Sequence, residues 1–207
     1  ETFPAWTPDG KNLYFTRAQG YKKGMALDSI RYDLCRISFD ASTEKMGAPE
    51  MVLQASAEQK SISFPCVSPN GKYLMFTLSD YGNFSIWHPE SDLYIMDLTT
   101  GTTKNLENVN SSDVDSYHTW SSSGHWFVFS SKRMDGLWAR PYIAAFNPET
   151  GETGKAFLLP QEDPMFYDNY TYTYNRPELI KTAVKNGKEF EKIIQQAAIP
   201  STPKKNH

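Results

Sequence analysis

The sequence lacks most of the motifs by which enzymes and membrane proteins are recognised. It contains no Gly-x-Ser-x-Gly elbow, no glycine-rich phosphate loop and no His-Glu-x-x-His, so the usual hydrolase, nucleotide-binding and zincin signatures are missing. No apolar run approaches transmembrane length. A net charge of -3, with Lys and Arg scattered along the chain, provides no broad basic surface for nucleic acid. We therefore expect no catalytic residues, no cofactor, no nucleic-acid partner and no transmembrane segment.

Residues that commonly bind metals are also few. The four histidines fall on different predicted loops or strands without the close paired spacing of a metal site, so we expect no metal: His88, His118, His125 and His207. Only two cysteines are present, Cys35 and Cys66. We expect both to be buried free thiols, because cysteine behaves as a small apolar residue in cores. A disulfide between them, which a secreted setting would permit, is the alternative.

The sequence does contain one motif three times, over residues 3–16, 64–77 and 118–130. The spacing within each copy is fixed, with four residues from the first position to a glycine and nine to a phenylalanine: Trp6, Gly10 and Phe15; Val67, Gly71 and Phe76; Trp120, Gly124 and Phe129. The glycines recur after 61 and then 53 residues. Repeats of this length are typical of propellers and solenoids.

Each copy predicts two antiparallel hairpins. A short apolar strand leads into Thr-Pro-Asp-Gly, Ser-Pro-Asn-Gly or Ser-Ser-Ser-Gly, where proline and glycine favour a tight turn, and an aromatic-rich strand follows. A second hairpin comes later in each copy, and four strands make one propeller blade. In the third copy Ser122 and Ser123 replace Pro-Asp, so we expect a looser turn there. The run Ser121–Ser123 lies close in sequence to His118 and His125, but its turn position favours a structural role over a nucleophilic one.

These motifs resemble a known repeat. Trp-Thr-Pro-Asp-Gly-Lys-x-Leu-x-Phe-Thr, with a later Leu-Tyr-x-Met-Asp-Leu-x-Thr-Gly, is similar to the WD-like repeat of TolB-type β-propellers, over roughly residues 1–160. The resemblance implies an all-β propeller of four-stranded antiparallel blades in the bacterial periplasm or at the outer membrane. We place three blades at about 1–55, 56–108 and 109–160. Related repeats also form the non-catalytic propeller of prolyl oligopeptidase-like peptidases, so the repeat does not fix the function.

Three blades make only a partial ring, because propellers close with about four to eight. We expect the remaining blades to come from a longer polypeptide, with a homodimer as the alternative. The chain has neither an initiating Met nor a signal segment at its start, which favours a piece of a longer or processed protein.

Residues 161–207 differ in character from the repeats. The segment 161–175 is rich in tyrosine, and we expect an aromatic strap lying across the blades, with an edge strand formed by Tyr170, Tyr172 and Tyr174 as the alternative. Helical spacing of apolar residues predicts one short helix from Pro177 to Asn186 and a second from Lys188. The last residues, 199–207, are expected to be a frayed tail.

Two groups of loop residues are candidates for binding. The loops that enter the inner strands form the rim of the channel, where partners of TolB-like proteins are expected by resemblance; in this chain the rim candidates are Ser63, Phe64, Asp113, Asp115, Tyr117 and His118. The loops between the second and third strands of blades one and two carry aromatics, a residue type common in binding surfaces: Tyr21, Tyr81, Phe84 and Trp87. The alternative for the rim candidates is that they are solvated loop residues. The alternative for the loop aromatics is that they pack on each other and stiffen the blades.

We expect a non-enzymatic interaction or scaffold module of a bacterial envelope protein, binding a protein or peptide at the channel rim. One alternative is the non-catalytic propeller of a peptidase or glycan-active enzyme whose active site lies outside this segment. Another is a structural subunit of a membrane-associated assembly.

Overall fold

A computed structural model describes residues 1–183 and 187–195, which form three antiparallel sheets in succession. Blade one contains β1 (Thr2–Trp6), β2 (Asn12–Ala18) and β3 (Tyr32–Asp40), with an outer strand in two pieces, β4 (Lys45–Met46) and β5 (Glu50–Leu53). Blade two contains β6 (Ser61–Val67), β7 (Tyr73–Ser79), β8 (Asp92–Asp97) and β9 (Thr103–Asn105). Blade three contains β10 (Asp115–Trp120), β11 (Trp126–Ser131), β12 (Arg140–Ala145) and β13 (Phe157–Leu158). The predicted all-β propeller, present as a partial ring of three blades, is confirmed.

The first hairpin of each blade closes in the same way. Gly10, Gly71 and Gly124 have φ angles of 70°, 72° and 72°, a left-handed conformation that costs glycine little. Their amides donate to the carbonyls of Thr7, Ser68 and Ser121 at 2.9, 2.9 and 3.0 Å. The prediction of a looser third turn is therefore wrong. The closing bond is between main-chain atoms and the glycine supplies the dihedral, so Ser122 and Ser123 can replace Pro-Asp.

Every inner strand has an irregularity at an aromatic residue with positive φ. The register shifts between Thr2 and Ala5, between Ser63 and Cys66, and between Ser116 and Thr119. The residues inside these shifts with left-handed backbone are Phe3, Phe64 and Tyr117, at φ 54°, 52° and 56°. Bulges of this kind redirect a side chain away from the regular alternation of the strand. The three repeats thus present an aromatic ring at one equivalent inner position.

The core lies between the blades. Leu74 and Phe76 of blade two pack toward Tyr14 and Leu34 of blade one. Phe127 and Phe129 of blade three pack toward the opposite side of blade two, which presents residues such as Met75 and Ile95. Blades two and three therefore use the same two positions of their second strands to face the blade before them.

The equivalent positions in blade one, Leu13 and Phe15, face away from blade two. On this front face of blade one the partly exposed apolar side chains include Trp6, Met46 and Met51. A cleft of about 260 Å³ opens there, lined by Glu1, Thr2, Pro4, Leu13, Phe15 and Ile37. The front face thus has the residue types of a blade interface, and Trp6, Met46 and Met51 on it are exposed.

The tyrosine-rich segment is a strap, as predicted, because residues 170–177 form no strand and lie against blade three. The Arg140 guanidinium, whose side chain is 2% exposed, donates to the carbonyls of Tyr170 and Tyr172, both at 2.6 Å, and of Tyr167 at 3.2 Å. One helical turn, α1 (Phe166–Asn169), interrupts the strap. Farther on, Thr119 donates to the Pro177 carbonyl at 2.6 Å and Ser130 to the Asn175 carbonyl. Ser130 alternates with Phe129, which faces blade two, so residues 175–177 of the strap lie against the opposite face of blade three.

The predicted helix from Pro177 is wrong for its described part, because residues 177–183 are not helical. Leu179 and Ile180 are exposed, so the apolar pattern finds no surface on which to pack, and short helices are marginal without such packing. The second helix is confirmed as α2 (Gly187–Gln195). Positions 184–186 of the first predicted helix, Ala197 of the second and the predicted tail from 199 lie outside the described residues.

Both cysteines are free; Cys35 is buried, as expected, but Cys66 is only half-buried. Cys35 alternates with Leu34, which faces blade two, so its thiol lies on the front face of blade one. Cys66 pairs with Met75, which faces blade three, and so has the other orientation. The blade-two sheet therefore separates the two thiols.

Candidate functional site

Asp115, a predicted rim residue, is fully buried and paired with a cation. Arg133 donates to its Oδ1 at 2.5 Å, and the main-chain amide and hydroxyl of Ser111 donate to its Oδ2 at 2.7 and 2.9 Å. Burial raises the pKa of Asp115, while Arg133 and these hydrogen bonds act in the other direction. We assign the carboxylate as charged at neutral pH because all its close partners are donors. The arrangement fixes the start of β10 and offers no free group to a partner.

His118 and Ser63 are also inside the blades. His118 is 1% exposed, and neither of its ring nitrogens has a hydrogen-bond partner among the described residues. Burial lowers the pKa of His118 to about 4, and the nearby main chain of Met75 and Phe64 opposes this only in part. The ring is therefore neutral at physiological pH. The Ser63 hydroxyl is likewise buried without a partner in the described part of the chain.

The rim residues Phe64 and Tyr117 form an aromatic row with Phe3. The rings of Phe3 and Phe64 are 4.1 Å apart, and those of Phe64 and Tyr117 are 4.7 Å apart. All three side chains are half-buried. Burial raises the pKa of Tyr117, so its phenol stays protonated at neutral pH. The row joins the three inner strands.

The aromatic residues of the long loops differ in exposure. Tyr81 is half-buried and packs edge-on against His88, with ring centroids 4.4 Å apart. Phe84 and Trp87 are exposed, Trp87 to 75%. Tyr21 is exposed on the corresponding loop of blade one, which is a separate place on the surface.

The loop carrying Trp87 is firmly anchored. Ser85 is buried and hydrogen-bonded to Ser116 of β10 at 2.6 Å, and Ile86 packs with Val114 and Ala139. Residues Ser85–Trp87 form one 3-10 turn between these anchors. An exposed indole on an anchored turn needs little ordering when a partner binds, which favours affinity.

Trp87 and the rim residue Asp113 meet in one interblade cleft. The cleft has a volume of about 280 Å³ and is lined by Ile86, Trp87, Pro89, Asp113, Val114, Lys132, Gly136 and Leu137. Gly136 on one wall has a φ of 71°, a backbone conformation that strains residues with a Cβ. Tyr117 of the aromatic row packs against Ile86, Val114 and Ala139, so the cleft adjoins the aromatic row.

Two charges of opposite sign line the interblade cleft. Lys132 is only 8% exposed, and its Nζ lies 4.3 Å from the centroid of the Trp87 ring. Within the described residues Lys132 has no ion-pair partner. Asp113 accepts a hydrogen bond from the Val114 amide at 2.7 Å through Oδ1. The cleft thus combines an indole, a cation, an anion and the apolar side chain of Leu137.

Sequence reasoning missed Lys132, Leu137 and Phe3. Lys132 and Leu137 belong to the loop between the second and third strands of blade three, the position that drew attention to Tyr21 and Trp87 in the other blades. Phe3 stands three residues before Trp6, as Phe64 and Tyr117 stand before Val67 and Trp120. The loop position of Lys132 and Leu137 and the spacing of Phe3 can both be recognised when the three repeats are aligned.

The other candidate groups from the sequence are potential metal ligands and the serine run. Over residues 1–183 and 187–195, no three His, Cys, Asp or Glu side chains gather as metal ligands would. Ser121–Ser123 form the hairpin turn, with the Ser121 and Ser123 hydroxyls 3.1 Å apart. A search of the described helices finds none long and apolar enough to cross a membrane.

No family model matches the chain, and no curated protein does. Solved structures do match. The β-propeller domain of the Trilobed protease from Pyrococcus furiosus is 14% identical over 78% of this chain and 43% of that one, with a TM-score of 0.43. Oligogalacturonate lyase in complex with manganese is 14% identical, covering 76% and 42%, with a TM-score of 0.49.

The Dos1 propeller is 14% identical over 77% of this chain and 37% of that one, with a TM-score of 0.49. This chain therefore spans less than half the length of each of these three proteins. Similarity at this level concerns the propeller fold alone, because one fold carries many activities.

Proposed function

We propose that the protein is a non-enzymatic interaction module that binds a peptide segment of a partner in the interblade cleft, beside the rim of the channel. The observation that carries this proposal is the anchored, 75% exposed Trp87 on the wall of a cleft. Tryptophan is the residue type most often found to dominate binding energy at protein interfaces. Trp87 lies between two blades rather than on a mobile loop tip, which favours a role in binding over that of a purely solvated side chain.

The surroundings of the cleft support a peptide as the occupant. Phe84 lies three residues before Trp87 and is 67% exposed, and the exposed Leu137 stands on the facing loop. Polar groups are few and lie at the walls, as in interfaces with an apolar centre and a polar rim. An extended peptide can place one side chain in the cleft and continue along the aromatic row.

Affinity selection from a synthetic random peptide library tests the proposal. The wild-type protein, Trp87→Ala and Trp126→Ala are immobilised side by side, and retained peptides are identified by mass spectrometry. Trp126 is 40% exposed and does not line the cleft, so it is the matched control. We expect wild type and the control to retain the same peptides, and Trp87→Ala to bind them at least about tenfold more weakly.

Two outcomes contradict the proposal. If Trp87→Ala retains the same peptides with unchanged affinity, the interblade cleft is not the site. If no peptide is retained by the wild-type protein, it is not a peptide-binding module.

We further propose the bacterial envelope as its setting, on the resemblance of the repeats to the TolB type. Fractionation of source cells into cytoplasm, periplasm and outer membrane tests this point. Recovery in the cytoplasmic fraction would refute it.

The front face of blade one supports a proposal about the ring. Leu13 and Phe15 occupy the positions that Leu74 and Phe76 use against blade one. We propose that a further blade of the same longer polypeptide packs there. The mass of the polypeptide in its source decides the matter: a larger polypeptide with further repeats is expected, and a dimer of a 207-residue polypeptide would replace this proposal with a ring of two copies.

A further inference from the structure

Lys132 is unusual among the lysines because its stem is buried while its charge is left without an acidic partner. The residue follows β11 directly and is 8% exposed. Its Nζ lies over the Trp87 ring at 4.3 Å, and no described carboxylate forms an ion pair with it. Most buried charges are paired. A lysine held in this way is ready to receive an anionic group that enters the cleft.

The other walls of the cleft set the size and polarity of the group that carries this anion. The indole of Trp87 and the side chain of Leu137, which is 69% exposed, provide apolar surface beside the ammonium. The volume of about 280 Å³ is just below the usual range for small-molecule pockets, and so suits a chain end rather than a long ligand.

Asp113 on the same cleft restricts the charge of the ligand. One carboxylate and one ammonium give the cleft no net positive charge, so it has little attraction for phosphates or polyanions. A single carboxylate attached to an apolar side chain fits this balance better. The last residue of a polypeptide is such a group.

We propose that the interblade cleft captures the C-terminal carboxylate of a partner polypeptide whose last side chain is apolar or aromatic. Lys132 binds the carboxylate, and Trp87 and Leu137 contact the terminal side chain. The Trp87 ring also holds the ammonium in place, so little side-chain freedom is lost on binding. This inference rests on the proposed function, and it names the chemical class of the peptide.

The test compares N-acetyl-Ala-Ala-Phe as its free acid with the same peptide as its C-terminal amide, by calorimetric titration of the wild-type protein. The two probes have the same side chains and differ only at the terminus, where a charged carboxylate is replaced by a neutral amide. We expect the acid to bind about tenfold more tightly than the amide, because a hydrogen bond to a charged group is worth more than one to a neutral group. Phenyl phosphate serves as a dianionic control and is expected to bind more weakly than the acid.

Variants of Lys132 assign the effect to this residue. Lys132→Met keeps an apolar stem without charge and should remove the difference between acid and amide, whereas Lys132→Arg should retain it. Equal affinity of acid and amide for the wild-type protein overturns the inference without need of any variant. So does a difference that persists in Lys132→Met.

The library selection distinguishes failure of this inference from failure of the proposed function. If library selection retains amidated and internal peptides in a manner dependent on Trp87, the interaction module stands and only the preference for a C-terminus is lost. If Trp87→Ala has no effect on any retained peptide, the proposed function fails as well.

Discussion

Arg133 donates a hydrogen bond of 2.5 Å to the Oδ1 of Asp115, across the first hairpin of blade three. Arg133 also donates to the Val109 carbonyl at 2.7 Å, and its guanidinium lies 4.5 Å from the Tyr142 ring centroid. The pair therefore ties the start of β10 to the end of β11 and to the preceding loop.

Breaking this pair should destabilise the fold. Asp115→Asn leaves the Arg133 charge mostly buried without a counter-charge, so we expect the free energy of unfolding to fall by about 3 kcal/mol in urea titrations. Arg133→Met should cost a similar amount, and the double variant should cost clearly less than the sum of the two. Additive costs would show that the two side chains do not interact.

The buried His118 should make stability depend on pH. Burial lowers the pKa of His118 in the folded protein to about 4 from its ordinary value of 6.5, so between these pH values the unfolded chain binds a proton and the folded chain does not. The free energy of unfolding therefore has its full value above pH 6.5 and decreases by about 3 kcal/mol in total as the pH falls toward 4.

Urea unfolding at a series of pH values checks this expectation. His118→Leu, which cannot titrate, should lack this part of the dependence, whereas His125→Gln, at an exposed position, should keep it. An identical pH profile for wild type and His118→Leu would contradict a neutral buried ring.

Because the φ of Phe64 is positive, we expect the glycine variant at this position to be more stable than the alanine variant, the reverse of the usual order in strands. Both Phe64→Gly and Phe64→Ala lose the ring that contacts Phe3 and Tyr117, but only alanine remains strained at φ 52°. We expect Phe64→Gly to be the more stable of the two by about 1 kcal/mol in thermal or urea unfolding. At Phe39, whose φ is not positive, alanine should be the more stable, as is usual in strands. The same order at both positions would argue against a strained bulge.

Arg140 should control how tightly the strap is held. Arg140→Met removes the donors to three strap carbonyls, so the amide of Tyr174, which donates to the Ala139 carbonyl at 2.9 Å, should exchange with solvent at least about tenfold faster. Hydrogen exchange followed by mass spectrometry on peptides covering 166–177 measures this. Arg17→Met, at an exposed arginine, is the control. Unchanged exchange in the strap of Arg140→Met would show that other contacts hold it.

The sequence was sufficient for the blades because their signals are local. Glycine at the hairpin, aromatic residues in the second strand and a fixed spacing specify a four-stranded unit without reference to its neighbours. The predicted helix from Pro177 failed for the opposite reason. Apolar spacing there indicates an amphipathic face, but a short helix also needs a surface to cover, and Leu179 and Ile180 have none.

Only individual residues of the candidate site, and not their arrangement, could be predicted from the sequence. Trp87 and Asp113 were each recognisable as loop residues of interest, but their meeting in one cleft depends on how blade two and blade three are offset. Lys132 reaches the same cleft from a third loop. Asp115 and His118 follow a polar stretch that is typical of a solvated loop. They are buried because Asp115 pairs with Arg133 and His118 lies against blade two, and neither contact can be recognised from local polarity.

The most direct test of the interblade cleft is fluorine NMR of the protein labelled with 5-fluorotryptophan. The chain has five tryptophans, and Trp87→Phe assigns the signal of Trp87. On addition of the pooled random peptide library, we expect the Trp87 signal to shift while those of Trp6 and Trp126, which lie outside the cleft, stay in place. A shift confined to other tryptophans, or none at any peptide concentration, would contradict the interblade cleft as the binding site.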